Sequence, residues 1–418
     1  MLHGNAVYAQ SGGVTSVING SAYGVITEAM KADFIEKIYG GFQGINGILD
    51  ENLIDLQEES PNMIEALRYT PGAALGSCRR KLPDLEKNRN EFERIVQVLE
   101  AHNIRYFFYN GGNDSMDTAY KVSQIAGQMG YDLISVGVPK TIDNDLPVTD
   151  NSPGFGSTAK YNATSLLEGG IDVASMYRDS TKVFVMETMG RHAGWIAAST
   201  ALARRMAGDP PHIILLPERP VSQDKLLAKI EGTVAQQGYC VVVVSEGAKK
   251  EDGTFLADSG IKDQFGHVQL GGAVNVVQSI IKDNLGLKTH GALLDYCQRS
   301  GRHLVSRVDL EQAIACGHHA VIIAKEQLNG KMVTIVRESN DPYQWSVDHT
   351  DASNIANQEK LLPDSYIQDE GFDITDEFIT YCQPLIEGED FPPFSAGIPQ
   401  YGKLKNQLIP KKLPAFTT

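Results

Sequence analysis

Leu133-Ile134-Ser135-Val136-Gly137-Val138-Pro139-Lys140-Thr141-Ile142-Asp143-Asn144-Asp145 joins a short apolar run to a loop carrying one lysine and two aspartates within six residues. Leu133 to Val136 reads as a strand buried on both faces, and a polar loop opens at Pro139. The same pairing recurs along the chain. Ala6 to Ala9 reads as a strand, followed by Gly12-Gly13 and a helical pattern from about Ser16 to Met30. Arg105 to Tyr109 is another, followed by Gly111-Gly112-Asn113-Asp114-Ser115 and a helix. Lys182 to Met186 leads into Met189-Gly190-Arg191-His192-Ala193-Gly194 and a further helix. Ile213 to Leu216 and Cys240 to Val244 are also apolar, and the second ends in Ser245-Glu246-Gly247. Near-continuous apolar strands alternating with helices predict an α/β fold with mainly parallel sheets covered on both sides. In such sheets ligands bind beyond the carboxyl ends of the strands, so polar clusters at five such ends predict one shared cleft.

There are too many α/β units for one modest sheet, so two Rossmann-like domains facing each other are expected. The first boundary falls near Asn151 to Gly156, a Ser/Pro/Gly stretch. Leu310 to Ala324 reads as a late helix and Lys331 to Val336 as a late strand, which bring the chain back to the first domain. The division is then 1–152 with about 300–335, and 153–299. Residues 336–418 are rich in Asp, Pro and Glu with weak periodicity, and read as a C-terminal extension, partly peripheral.

The 418 residues carry a net charge of −15, a poor match for nucleic acid or an anionic membrane surface. No apolar run approaches membrane-spanning length, and Met1 to Gln10 lacks the basic-then-apolar pattern of a leader. The five cysteines form no CxxC pair and show no zinc spacing, which suits free thiols in a reducing cytoplasm. An acidic protein that handles phosphates must build a local positive site from lysine, arginine, a metal ion or helix N-termini.

Each cluster has a bland reading and a chemical one. Gly12-Gly13 lets backbone approach a phosphate, or is an ordinary tight βα turn. Asp114 beside a helix start is a cap or a ligand. Arg79 and Arg80 face a phosphate or begin a solvated helix. Arg191 neutralises a phosphate; His192 alone is more often a packed or capping residue. Glu246 accepts from sugar hydroxyls or from a helix N-terminus. The strongest segment is the Lys140–Asp145 loop. It supplies a point charge for a phosphate, a carboxylate to take a proton from an attacking hydroxyl, and a second to hold magnesium. Those are the parts that phosphoryl transfer needs.

Read in order, SGG with Asn19, LGSCR, GGNDS, PKTIDND, ETMGRHAGW, VSEGA and YCQRS resemble the phosphofructokinase family over roughly Asn5 to Val336. The resemblance implies two Rossmann-like domains around the active site, the first for the donor phosphate and the second for the sugar phosphate. It also implies a homodimer or homotetramer in which a neighbouring subunit completes the sugar pocket. Asp143 matches the base that receives the proton of the sugar's 1-hydroxyl. Thr141 and Asp145 match flanking residues that bind the sugar or order the metal. Gly12 and Arg79 match donor-phosphate positions, and Met189, Gly190, Arg191 and Glu246 match the sugar pocket. Arg299 matches a ligand of the 6-phosphate, and Tyr296 stands where many relatives carry histidine. Lys182 aligns with a cross-subunit arginine, and His290 is nearest by spacing to a second. Mg2+ is the implied cofactor, with Asn113, Asp114 and Asp143 as its expected ligands; Asn113 replaces the aspartate usual in the GGD motif.

Two positions bear on the donor. Members that use ATP resemble GGDGS and PGTIDND, whereas this chain carries Asp114 and Lys140, as pyrophosphate-using members do. Asp114 adds bulk and negative charge where a nucleotide's α-phosphate would lie, and Lys140 adds a cation for compact pyrophosphate. The implied reaction is pyrophosphate plus fructose 6-phosphate giving fructose 1,6-bisphosphate plus phosphate, readily reversible, in glycolysis or gluconeogenesis. The rival readings are ATP as donor, sedoheptulose 7-phosphate as acceptor, and an inert sugar-phosphate-binding regulatory subunit.

Overall fold

Every residue of the first strand, Gly4–Ser11, is buried, and so is every residue of Ile134–Pro139 and Cys240–Ser245. Strands of this kind need a helical layer on each face. The structure, a computed structural model, describes residues 1–80, 82, 89–258 and 270–416. In chain order the strands are β1 (Gly4–Ser11), β2 (Ile35–Gly41), β3 (Leu53–Asp55), β4 (Ser77–Cys78), β5 (Ile104–Gly111), β6 (Ile134–Pro139), β7 (Val183–Thr188), β8 (Ile213–Leu215), β9 (Cys240–Ser245), β10 (Thr289–Leu293), β11 (Lys331–Asn340) and β12 (Tyr343–Asp351). They form two sheets, and a separate two-stranded ribbon pairs Phe394–Ser395 with Ile398–Pro399. The larger runs β12-β11-β6-β5-β1-β2-β3, with β4 beside β1; the smaller runs β10-β7-β9-β8. The smaller is wholly parallel. The larger is parallel except where β3 and β12 close its two edges.

Alternation along β1 and β5 separates two cores. Ala6, Tyr8, Tyr106 and Phe108 pack on one side against the helices Ile18–Ala29 and Arg307–Lys325. Val7, Ala9, Phe107 and Tyr109 pack on the other against Arg89–Ala101 and Asn113–Gln128. Each large side chain buried in this way stabilises the fold by about 1.5–3 kcal/mol. The smaller sheet repeats the scheme. Val183, Val185, Val242 and Val244 face the helices Gln223–Gln237 and Ala273–Leu285. Met186, Val241 and Val243 face Phe155–Met176. Among the described residues no helix is long and apolar enough to cross a membrane.

Residues beyond 335 do more than decorate this frame. β12 adds an antiparallel edge to the larger sheet. Leu362, Ile367, Ile374, Phe378, Tyr381 and Leu385 then complete the core on one face of the smaller sheet. The last stretch returns to the larger body. Leu404 is buried in its core, the Gly402 and Asn406 amides bond to Thr70 Oγ1 (2.8 Å) and Glu59 Oε1 (3.0 Å), and those of Lys412 and Leu413 bond to the Glu51 carboxylate (2.5 and 3.1 Å). The apolar residues of this extension are spaced irregularly because they fill gaps in two different cores.

Candidate active site

All five polar clusters follow directly from strand ends: Gly12 after β1, Gly112 after β5, Lys140 after β6, Met189 after β7 and Glu246 after β9. Three of them, with β4, make a cationic knot. Gly12 has φ +77°, a left-handed conformation suited to glycine, and its N–H donates to Cys78 O at 2.9 Å. This turn leaves Gly13 O facing Lys140, whose ammonium donates to it at 2.5 Å. A side chain begun at Gly12 would start 3.2 Å from that ammonium. One begun at Gly13 would start 2.7 Å from an Arg299 guanidinium nitrogen and 3.2 Å from one of Arg79. Lys140 is only 3% exposed, and burial with Arg299 and Arg79 alongside pulls its pKa down to about 7. The structure thus brings together Gly12, Arg79, Lys140 and Arg299. Arg299, expected on the sugar's 6-phosphate, sits at the Gly13 turn with its guanidinium 4.0 Å over the Tyr296 ring.

The loop after Lys140 carries the carboxylates. Asp143 N–H donates to Thr141 Oγ1 at 3.1 Å, and both Asp143 and Asp145 are half-buried. Burial raises the Asp143 pKa to about 7; Asp145 and Glu246 add to the rise, and Lys140 and Arg79 oppose it. Asp145 is raised too, first by burial, with Glu359 adding and the Thr141 hydroxyl opposing. Between them Asn144 adopts φ +54°, uncommon except for glycine, asparagine and aspartate. Its amide is fully buried, donating to Tyr381 OH at 2.9 Å and accepting from Ser152 N–H at 3.0 Å. Asn144 escaped sequence reasoning, although an asparagine between two functional aspartates is itself a turn signal.

Asn113 and Asp114 open the helix Asn113–Gln128. The Asn113 amide oxygen accepts the Asp114 N–H at 2.8 Å, and its NH2 donates to Gln358 O at 3.3 Å. Asp114 is exposed in the first turn, where the helix dipole favours a carboxylate. Among the described residues no group of three His, Cys, Asp or Glu side chains is placed to hold a metal. Magnesium, however, typically takes one or two carboxylates and completes its shell with water and substrate phosphates. Asp143 and Asp145, crowded enough to resist ionisation, are a donor pair of that kind.

The clusters on the smaller sheet are built differently. Gly190, at φ +122°, donates its N–H to Glu246 Oε1 at 3.3 Å and accepts from Ser245 Oγ at 2.6 Å. Met189 N–H donates to Gln298 Oε1 at 3.1 Å. Glu246 is raised by burial, an effect opposed by the Gly190 N–H, Arg191 and Arg79. Arg79 therefore neighbours carboxylates on both sides of the cleft. Lys182 and His290 lie elsewhere. Lys182 precedes β7, at the opposite end of that strand from Met189, and its ammonium caps the helix Phe155–Met176 through Tyr177 O (2.6 Å) and Arg178 O (3.3 Å). His290 is exposed on the edge strand β10, opposite Phe184.

Sequence reasoning also missed Gln358-Glu359-Lys360. Lys360 N–H donates to Asp145 O at 2.7 Å, and the Glu359 carboxylate pairs with His192 at 2.8 Å. These residues lie in the stretch read as weakly periodic, where no motif marks them.

The phosphofructokinase family profile matches residues 5–333. Over 417 residues the chain is 54% identical to the pyrophosphate–fructose 6-phosphate 1-phosphotransferase of Halomonas elongata, covering 100% of both. It superimposes on the crystal structure of a pyrophosphate-dependent phosphofructokinase from Nitrosospira multiformis with a TM-score of 0.92 at 52% identity, covering 99% of each chain. A second such structure, from Marinobacter aquaeolei, gives 0.91 at 51% identity and covers 99% of this chain and 100% of that one. With its strand-end motifs gathered around one cleft and these matches running its full length, the chain belongs to the phosphofructokinase family.

Proposed function

We propose that this protein is a pyrophosphate-dependent phosphofructokinase, moving a phosphoryl group reversibly from pyrophosphate to the 1-hydroxyl of fructose 6-phosphate. That is the activity of the relatives it matches end to end. The observation that carries the donor assignment is the buried Lys140 ammonium seated in the Gly12–Gly13 turn beside Arg79 and Arg299. Three cations around a turn that admits no side chain suit a small, highly charged anion. Asp114, at the mouth of the same turn region, opposes the extra phosphate of a nucleotide.

In this reading the larger body binds pyrophosphate and the smaller body binds the sugar. Met189, Gly190 and Arg191 line the sugar side, Glu246 accepts from its hydroxyls, and Tyr296 and Arg299 meet its phosphate. Thr141 fixes the loop through the Asp143 N–H. Asp143, held near neutrality by burial, takes the proton of the 1-hydroxyl as that oxygen attacks. Lys140, Arg79 and the Gly12 turn hold the phosphoryl group and the departing phosphate. Asp143 and Asp145, with Asn113 and Asp114 at the helix start, are the residues that would hold magnesium, which supplies charge neutralisation on the phosphate oxygens. Lys182 and His290 reach a sugar phosphate only from a neighbouring copy, in a homodimer or homotetramer. A cytoplasmic setting suits its phosphorylated substrates.

The test is an initial-rate comparison with fructose 6-phosphate and magnesium, using pyrophosphate against ATP, and sedoheptulose 7-phosphate as a second acceptor. Turnover with pyrophosphate alone is expected. Turnover with ATP alone would overturn the donor assignment, and none with either donor, in folded protein, would overturn the enzyme assignment.

A further inference from the structure

The loop from Lys140 to Ser152 carries the two carboxylates, Asp143 and Asp145, into the cleft, yet little of its support comes from its own strand. Tyr381 OH accepts from the Asn144 amide at 2.9 Å and donates to Asp150 O at 2.8 Å. Lys360 N–H donates to Asp145 O at 2.7 Å, while its ammonium bonds to Thr149 O and Asp150 O at 3.0 and 2.8 Å. Arg337 grips the Asp150 carboxylate with two bonds of 3.0 Å and lies 4.6 Å over the Tyr381 ring. Trp195 Nε1 donates to Lys360 O at 2.9 Å, and Glu359 bonds to His192, so the segment is tied to the smaller body as well. Gln358 O takes the Asn113 amide on the larger body. Residues 358–360 therefore touch all three chemical stretches: the helix start, the carboxylate loop and the sugar-side turn.

We propose that residues 358–381 are a positioning clamp, with Lys360 and Tyr381 as its jaws, which holds the Asp143–Asp145 carboxylates at the angle and depth the transfer needs. The proposal rests on the functional reading above. The physical reason is that Asn144 stands in a left-handed conformation with its amide buried. Freed of Tyr381, that amide has no solvent to satisfy it and the kink between the aspartates relaxes. Each jaw acts through backbone carbonyls or the Asn144 amide of the loop. The clamp contacts both bodies, through Trp195 and His192 on one and Asn113 on the other.

The test pairs kinetics with hydrogen exchange on the full chain. Tyr381→Phe keeps the ring and removes only the hydroxyl. Its kcat with pyrophosphate and fructose 6-phosphate is expected to fall about tenfold with both KM values within about twofold, the signature of misplaced reacting groups rather than lost binding. Lys360→Met should fall further, and Lys360→Arg should recover part of the loss. Amides from Asp143 to Ser152 should exchange faster in Tyr381→Phe while those of the helix Asn113–Gln128 do not change. Unchanged kcat, or a fall in kcat accompanied by a matching rise in both KM values, overturns the clamp. If the wild-type protein shows no turnover with pyrophosphate, the functional reading fails and the exchange data alone decide the clamp: unaltered exchange in the loop rejects it.

Discussion

The two sides of the cleft face the same reaction with opposite materials. At the ends of β1, β4 and β6, charge is packed into one turn: a buried ammonium, the Arg79 guanidinium and backbone glycines within a few ångströms, with Arg299 reaching the same turn from the sugar side. At the ends of β7 and β9 the lining is backbone N–H groups and the Glu246 carboxylate, flanked by the more exposed Arg191, His192 and Tyr296. The difference matches what each side must discriminate. A small anion offers only charge and size, so selection demands preorganised cations that a hydrated ion cannot easily replace. A sugar offers hydroxyls in a stereochemical pattern, read by hydrogen bonds that cost little to build but depend on each donor and acceptor being paired.

If that contrast holds, variants on the two sides should fail in different kinetic constants. The largest loss belongs to the group both sides share: Asp143→Asn should lower kcat by about 10³-fold, within the span of general-base catalysis, with little change in thermal stability. Retention of more than a tenth of the turnover would remove Asp143 from its role. Lys140→Met should lower kcat/KM for pyrophosphate by about 10²-fold while leaving the fructose 6-phosphate KM nearly unchanged. An equal loss for both substrates would erase the division between the sides. Because the ammonium is desolvated in the fold, this variant should melt no lower than the parent. Glu246→Gln should act in the mirror sense, raising the fructose 6-phosphate KM by about tenfold, the worth of one charge-assisted hydrogen bond, and sparing pyrophosphate. A changed pyrophosphate KM would instead mean that Glu246 acts through Arg79.

The smallest effect is the pH response. Asp143 is raised to about 7, so it gains its base form as pH rises through that value. Lys140 is lowered to about 7, so it loses its charge over the same interval. The product of the two fractions is a bell in kcat/KM centred near neutrality, with about a threefold loss one pH unit to either side. Lys140→Arg should flatten the alkaline limb and leave the acid limb in place; movement of the acid limb alone would reverse the two assignments.

The strand-end placement of the polar clusters was legible in the sequence. Gly12, Asp114, Lys140, Met189 and Glu246 announced themselves because each follows a strong apolar run, and strand ends are where open α/β folds place chemistry. What was hidden had no local signal. β12 alternates Tyr343, Trp345 and Val347 with polar residues, a period of two that the surrounding Asp and Glu obscured. β10 is five residues with a glycine inside and carries almost no strand signature. The position of Arg299 beside Gly13 depends on a contact between residues nearly 290 apart, and the grip of Tyr381 on Asn144 spans 237. Such pairings follow from tertiary packing, which no window along the chain can contain.

The last stretch of the fold has a consequence for how the protein is made. The amides of Gly402, Asn406, Lys412 and Leu413 bond to partners between Glu51 and Thr70, and β11 and β12 complete a sheet whose interior strand β1 is made about 320 residues earlier. At about 5–20 residues per second, the larger body waits on the order of tens of seconds on the ribosome with one edge unpaired and one core face uncovered. Only the smaller sheet, encoded in between, has all its strands available early. Its completion in turn awaits Leu362 to Leu385. Neither half is therefore finished before residues 362–413 have been made, and a nascent chain stalled near residue 335 would expose two apolar faces to the chaperones of the cell.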